Sequence, residues 1–125
     1  MLIECTAQLH DPTNSLARDA SGRGNNVTLD GPTKDAGQRG YTFDGINDRF
    51  TNMVALPATY TVVALRQVAG IYSVLFENVN TFWTAVSTAA GFTGRVLALR
   101  LYPFTLTAIQ QNDERISLMK QINFV

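Results

Sequence analysis

The segment Arg95 to Tyr102, RVLALRLY, constrains the fold more than any other part of the chain. Its apolar residues alternate with period two, the signature of a β-strand rather than a helix. The alternation places Leu97, Leu99 and Leu101 on one face and Val96, Ala98 and Arg100 on the other. One face is core and the other only partly wet, so this strand requires a sheet around it and cover on both sides. Two further segments supply strands. Tyr60 to Leu65 and Ile71 to Phe76 are rich in β-branched and aromatic residues and too short for stable helices, with Gln67 to Gly70 between them as a turn. Tyr41 and Phe43 alternate with Thr42 and Asp44, and Gly45-Ile46-Asn47-Asp48 then precedes Arg49-Phe50-Thr51, a pattern that predicts a β-hairpin. Phe82 to Val86 is another candidate strand, and Gly91 and Gly94 bracket a loop. The first forty residues hold the turn formers Asp11-Pro12-Thr13-Asn14, Ser21-Gly22-Arg23-Gly24-Asn25-Asn26 and Asp30-Gly31-Pro32, which punctuate short extended pieces. The class is all-β with an antiparallel sheet.

One helix closes the chain. Pro103 ends the last strand, and Thr107 with Gln110 three positions later forms a capping box that starts a helix over 107–122. Ile109, Ile116, Met119 and Ile122 recur with helical spacing. Such a stripe has two uses: it packs on the domain's own sheet, the commoner one, or it forms an interface with a partner.

The chain is long enough to bury its own core. Its 125 residues, 46% of them hydrophobic, make one domain able to bury roughly two-thirds of its unfolded surface without disulfides or metal. Only 16% of residues are charged, and the formal net charge is zero. Such a surface repels its neighbours weakly, and a net charge near zero favours association. Ten Lys and Arg spread among ten Asp and Glu leave no surplus to neutralise phosphates, which argues against nucleic-acid binding. The most apolar stretch, Tyr60 to Phe76, carries Arg66 and Gln67 in its middle, so no membrane span is expected. No secretory signal is visible at Met1-Leu2-Ile3-Glu4-Cys5, which predicts a cytoplasmic site of synthesis. Cys5, the single cysteine, reads as a small buried hydrophobe.

Chemistry-bearing constellations are sparse. His10 is the sole histidine, and no Gly-x-Ser-x-Gly elbow presents a serine to it. Cys5 and His10 lack the further ligands a zinc site needs. Glu4, Glu77 and Glu114 stand isolated, where a glycosidase needs two carboxyl groups at a set separation. Gly22-x-Gly24 meets Val27 where a dinucleotide loop has its third glycine. The expectation is a protein that is not an enzyme and holds no cofactor. Two oxygen-rich loops, Asp19 to Asn25 and Asp44 to Asp48, would offer Asp19, Asp44 and Asp48 to a hard cation such as calcium if they converged. The same residues are what tight turns need, and the turn reading ranks first. Asn26-Val27-Thr28 matches a glycosylation sequon, a match common by chance.

Together these pieces resemble a known family. Asp19-Ala20-Ser21-Gly22-Arg23-Gly24-Asn25-Asn26-Val27-Thr28-Leu29, followed by Tyr41-Thr42-Phe43-Asp44-Gly45-Ile46-Asn47-Asp48-Arg49-Phe50, is similar to the D-x-S-G-x-G-N-x-x-T-L and x-F-D-G-x-x-D-x signature of the laminin-G-like, concanavalin-A-like jelly rolls. Tyr60 to Leu65 resembles the strand that follows it, and Gly94 to Tyr102 with Leu106-Thr107-Ala108 resembles the closing strand and the segment after it. The resemblance implies an antiparallel β-sandwich spanning residues 1–125 as a single domain, shortened because little chain separates Leu65 from Gly94, with the helix at its end. Compact versions of this kind look like virion accessory proteins of tailed phages. The expected function is therefore structural: a bacteriophage virion component, capsid-decorating or tail-associated, that contacts other virion proteins and itself through Ile109, Ile116, Met119 and Ile122. The alternative is a lectin-like module for host-surface glycans, with Trp83, Phe82 and Tyr72 stacking on sugar rings.

Overall fold

The computed structural model describes residues 3–11, 16–31, 40–44, 49–52, 58–77, 87–88 and 93–122. Within them lie strands β1 (Ile3–Asp11), β2 (Leu16–Asp19), β3 (Val27–Asp30), β4 (Tyr41–Asp44), β5 (Arg49–Asn52), β6 (Thr61–Val68), β7 (Ile71–Glu77), β8 (Ser87–Thr88) and β9 (Thr93–Tyr102), then helix α1 (Ala108–Ile122). The expected class, mostly antiparallel β with a C-terminal helix, is what the chain adopts. The strands join in the order β7-β6-β9-β1-β2-β3-β5-β8, with β4 also on β9.

The alternating segment is the hub of this arrangement. β6 runs antiparallel along one edge of β9 from Thr61 opposite Tyr102 to Gln67 opposite Arg95. The other edge is shared: β1 takes Ala98 to Leu101 and β4 takes Thr93 to Val96. Gly94, expected to bound a loop, sits inside the strand opposite Phe43.

The predicted division of β9 into two faces is corrected by a register shift. Leu65 pairs with Ala98 but the next residue, Arg66, pairs with Val96, so Leu97 is the extra residue of a β-bulge. One inserted residue exchanges the faces of everything beyond it. Val96 accordingly joins Leu99 and Leu101 in one core, while Leu97 joins Ala98 in another.

The predicted hairpin between Tyr41 and Thr51 is also corrected. β4 pairs with β9, whereas β5 pairs with β3 and β8, so the two strands diverge. Buried Tyr41 and Phe43 belong to the core beneath β9, and that burial outweighs the local turn signal. Gly40 makes the entry to β4 feasible: its φ is +84°, and a Cβ there would lie 2.6 Å from the Val96 carbonyl oxygen. Only glycine tolerates both conditions.

The second hairpin forms as expected, with a tighter turn. β6 and β7 meet through Ala69 and Gly70, with φ of 50° and 82°. Two residues at positive φ make a type I′ turn, whose twist matches the strands it joins.

The sheet buries two faces. The first core gathers Ile3 and Cys5 of β1, Ala17, Val27, Tyr41, Phe43, Tyr60, Val62 and Ala64 of β6, and Val96, Leu99 and Leu101 of β9. The second holds Val63, Leu65, Leu97 and Ala98 with Leu106 and Leu118, and α1 covers it. The candidate strand Phe82 to Val86 lies outside the described residues. Among the described residues no helix is long and apolar enough to cross a membrane.

Candidate functional site

α1 is placed by a chain of local bonds that begins at the start of β6. The buried Thr61 hydroxyl donates to the Phe104 carbonyl at 2.8 Å and accepts from the Leu106 amide at 3.1 Å, which fixes the segment between β9 and the helix. Leu106 is then buried in the second core. The helix starts with the predicted capping box: the Gln110 amide donates to Thr107 Oγ1 at 3.2 Å, and the Thr107 amide donates to Gln110 Oε1 at 2.9 Å.

The face that α1 turns to the sheet is mainly polar. Arg100 projects from β9 and is 9% exposed. Its Nε lies 3.1 Å from Glu4 Oε2 on β1, directly opposite in the ladder, and its Nη1 lies 2.6 Å from Glu114 Oε2 on α1. Nη1 and Nη2 both reach the Ser117 hydroxyl, at 3.3 and 3.4 Å. The Tyr102 hydroxyl donates to the other oxygen of Glu114. Burial, and then the hydrogen bond to Glu114 and its negative charge, push the Tyr102 hydroxyl well above the usual phenol range, so it stays protonated as a donor. A guanidinium with two carboxylates satisfies charges that neither element could bury alone. Leu118 is the apolar anchor beside this network, fully buried, and Arg115 stacks 5.1 Å from the Phe76 ring centre.

The opposite face of the helix exposes large apolar side chains. Ile109 is 76%, Ile116 48% and Met119 37% accessible. Leu118 is nine residues from Ile109, about two and a half turns at ~100° per residue, and therefore points the other way. Of the two uses open to the stripe, packing on the domain's own sheet does not hold for Ile109, Ile116 and Met119. Ile122 is within α1, and its side chain lies outside the described residues.

Arg100, Tyr102, Glu114 and Leu118 escaped the sequence reading. The available signal was an arginine between leucines in a strand, together with Glu114, Ser117 and Leu118 at spacings that share one helical face.

The remaining predicted residues do not come together. Asp19, at the end of β2, accepts from the Glu4 amide at 2.8 Å, the Ser21 amide at 2.9 Å, the Ser21 hydroxyl at 2.7 Å and the Asn25 amide at 2.9 Å. Burial pushes its carboxyl up, but those bonds outweigh it and hold the group below its ordinary value. The Asn26 side chain closes the loop by accepting from the Asp19 amide at 2.8 Å. Asp44 stands exposed on β4, which pairs with β9 rather than with β2, and Asp48 lies outside the described residues. Among the described residues no three His, Cys, Asp or Glu side chains gather as a metal centre requires. Tyr72 on β7 is half-buried and packs against the second core, while Phe82 and Trp83 lie outside the described residues.

Cys5 is buried in the first core. Burial, and after it the charge of Asp19, push its thiol up to about 12, against which a bond from the Val27 backbone acts weakly. Such a thiol is not a nucleophile near neutral pH. A shallow cleft of about 240 Å³ lies between β4, the β6–β7 turn and the start of β9, lined by Thr42, Gln67, Ala69, Gly70, Gly94 and Arg95. None of the predicted site residues lines it.

Comparisons with protein-family models, curated proteins and solved structures found no match.

Proposed function

We propose that the chain is a non-enzymatic assembly protein of a bacteriophage virion, decorating the capsid or associated with the tail, and that it works through protein–protein contacts made by the outer face of α1. The observation that carries the reading is the exposure of Ile109, Ile116 and Met119 on a helix whose other side is already fixed by Arg100, Glu114 and Leu118. A helix face of isoleucine and methionine left in water is the kind of surface that protein partners cover. The low charge density supports the same reading, because few charges need desolvation when such a surface is covered. The virion placement rests on the motif resemblance, and with it the proposal that the sheet is a shortened laminin-G-like jelly-roll sandwich. Both Asp19, held by the amides of Ser21 and Asn25, and Phe43 in the core occupy positions of that motif.

The particle provides the test. Purified virions from a strain carrying the gene are probed with an antibody to the chain, beside virions carrying I109S/I116S/M119S. The reading expects the wild-type chain at fixed stoichiometry in the particle and the triple variant, still folded, in the unbound fraction. Absence of the wild-type chain from particles overturns it, and saturable binding to a glycan array in its place would favour the lectin alternative.

A further inference from the structure

The outer face of α1 carries charge as well as apolar surface. Asp113 and Lys120 are both exposed, and neither forms an ion pair with a described residue. Seven residues apart, they are aligned along the helix to within about 20° at ~100° per residue. Ile116 lies between them in sequence and beside them on the surface, and Met119 adjoins Ile116 three residues on. The face thus carries a negative charge toward one end, a positive charge toward the other and an apolar patch alongside. Such a pattern is complementary to itself when reversed.

We propose that the occupant of this face is a second copy of the chain, its α1 lying antiparallel across a two-fold axis between Ile116 and Met119. The proposal rests on the protein-contact reading above and names the partner. In this pairing Ile116 of each copy packs on Met119 of the other, and Asp113 of each faces Lys120 of the other. A two-fold axis repeats every contact, so the ion pair forms twice and flanks a central patch of four apolar side chains. The parallel alternative sets Asp113 on Asp113 and Lys120 on Lys120, and charge rejects it. With a formal net charge of zero, no long-range repulsion opposes the approach of two copies.

The experiment is a charge-reversal mixing series read by sedimentation velocity over a concentration range at low salt. D113K carries Lys at both positions and K120D carries Asp at both, so each repels its own copy and attracts the other. The wild type is expected to move from monomer to dimer, each single variant to dissociate about tenfold more readily, and the equimolar mixture to recover dimer. Circular dichroism confirms that both variants are folded before mixing. A wild type that stays monomeric throughout overturns the second-copy proposal while leaving the protein-contact reading to the virion test. A dimer indifferent to either reversal, or a mixture that stays monomeric, overturns the antiparallel geometry. Dimerisation with no chain in the particle overturns the virion reading alone.

Discussion

The two faces of α1 invert the usual arrangement of a surface helix. The side against the sheet carries Glu114 and Ser117 around one leucine, and the side toward solvent carries two isoleucines and a methionine. An ordinary amphipathic helix docks by burying its apolar stripe. Here docking relies on Arg100, whose charge on β9 demands a carboxylate above it, and on Leu118 fitting beside Leu97 and Leu106. A buried charge fixes the rotation of the helix more strictly than a greasy contact would, since only one azimuth brings Glu114 over Arg100. The apolar stripe is then free for another use. The comparison teaches that burial of the helix and hydrophobicity of the helix are separate quantities in this protein.

Substitutions can break the comparison from the inner side. Arg100→Met leaves Glu114 and Glu4 facing an apolar side chain, and we expect a loss of about 3–5 kcal/mol in chemical denaturation. Adding Glu114→Gln to that variant recovers part of the loss, because the more buried of the two carboxylates left without a cation is gone while Glu4 remains. Leu118→Ala opens a cavity under the helix and costs about 3 kcal/mol. Gly40→Ala, at the start of β4, costs about 2 kcal/mol through positive φ and the clash with Val96, without altering the helix. Equal losses from the outer residues would erase the distinction between the faces.

The response to alkali sharpens the same contrast. The folded-state pKa of Tyr102 is raised above its unfolded value near 10. Its contribution is therefore complete below about pH 10 and is lost as pH rises through the folded value. Cys5 acts in the same direction from about pH 9 upward, with its thiol pushed up to about 12. Stability should fall in this window, and Tyr102→Phe should flatten the part of the fall that belongs to the helix contact. An unchanged profile in Tyr102→Phe would mean that folding does not raise the Tyr102 hydroxyl. At the small end, Ala69→Asn should stabilise by about 0.5 kcal/mol, since asparagine accepts the positive φ of a type I′ turn better than alanine.

Local features of this fold were legible in the sequence, and features set by distant partners were not. Thr107 and Gln110 announce the helix start because the capping box is complete within four residues. A turn within Gln67 to Gly70 is found because the strands on either side are continuous in sequence. Its tightening to Ala69-Gly70 comes from the pairing of Gln67 with Tyr72 and Val68 with Ile71. The bulge at Leu97 is hidden, since it depends on β6 supplying Leu65 and Arg66 at a register no local pattern encodes. The partner of β4 is likewise hidden, because Tyr41 and Phe43 pair with Val96 and Gly94 far along the chain. Ile109, Ile116, Met119 and Ile122 are legible as a stripe, but the direction of that stripe is not. Direction depends on Arg100 calling for Glu114, and that pairing joins a strand to a helix across Pro103 to Thr107.

The most direct test of the outer face as a contact surface is to measure stability and solution mass together on Ile116→Asp. Stability should be taken at a concentration low enough that association does not contribute to the melting point, and mass at concentrations where the wild type dimerises. The account predicts a stability within about 0.5 kcal/mol of wild type, as for an exposed position. It also predicts loss of the dimer at concentrations where the wild type forms one. A large destabilisation, or a dimer that survives an aspartate at the centre of its contact, would contradict it.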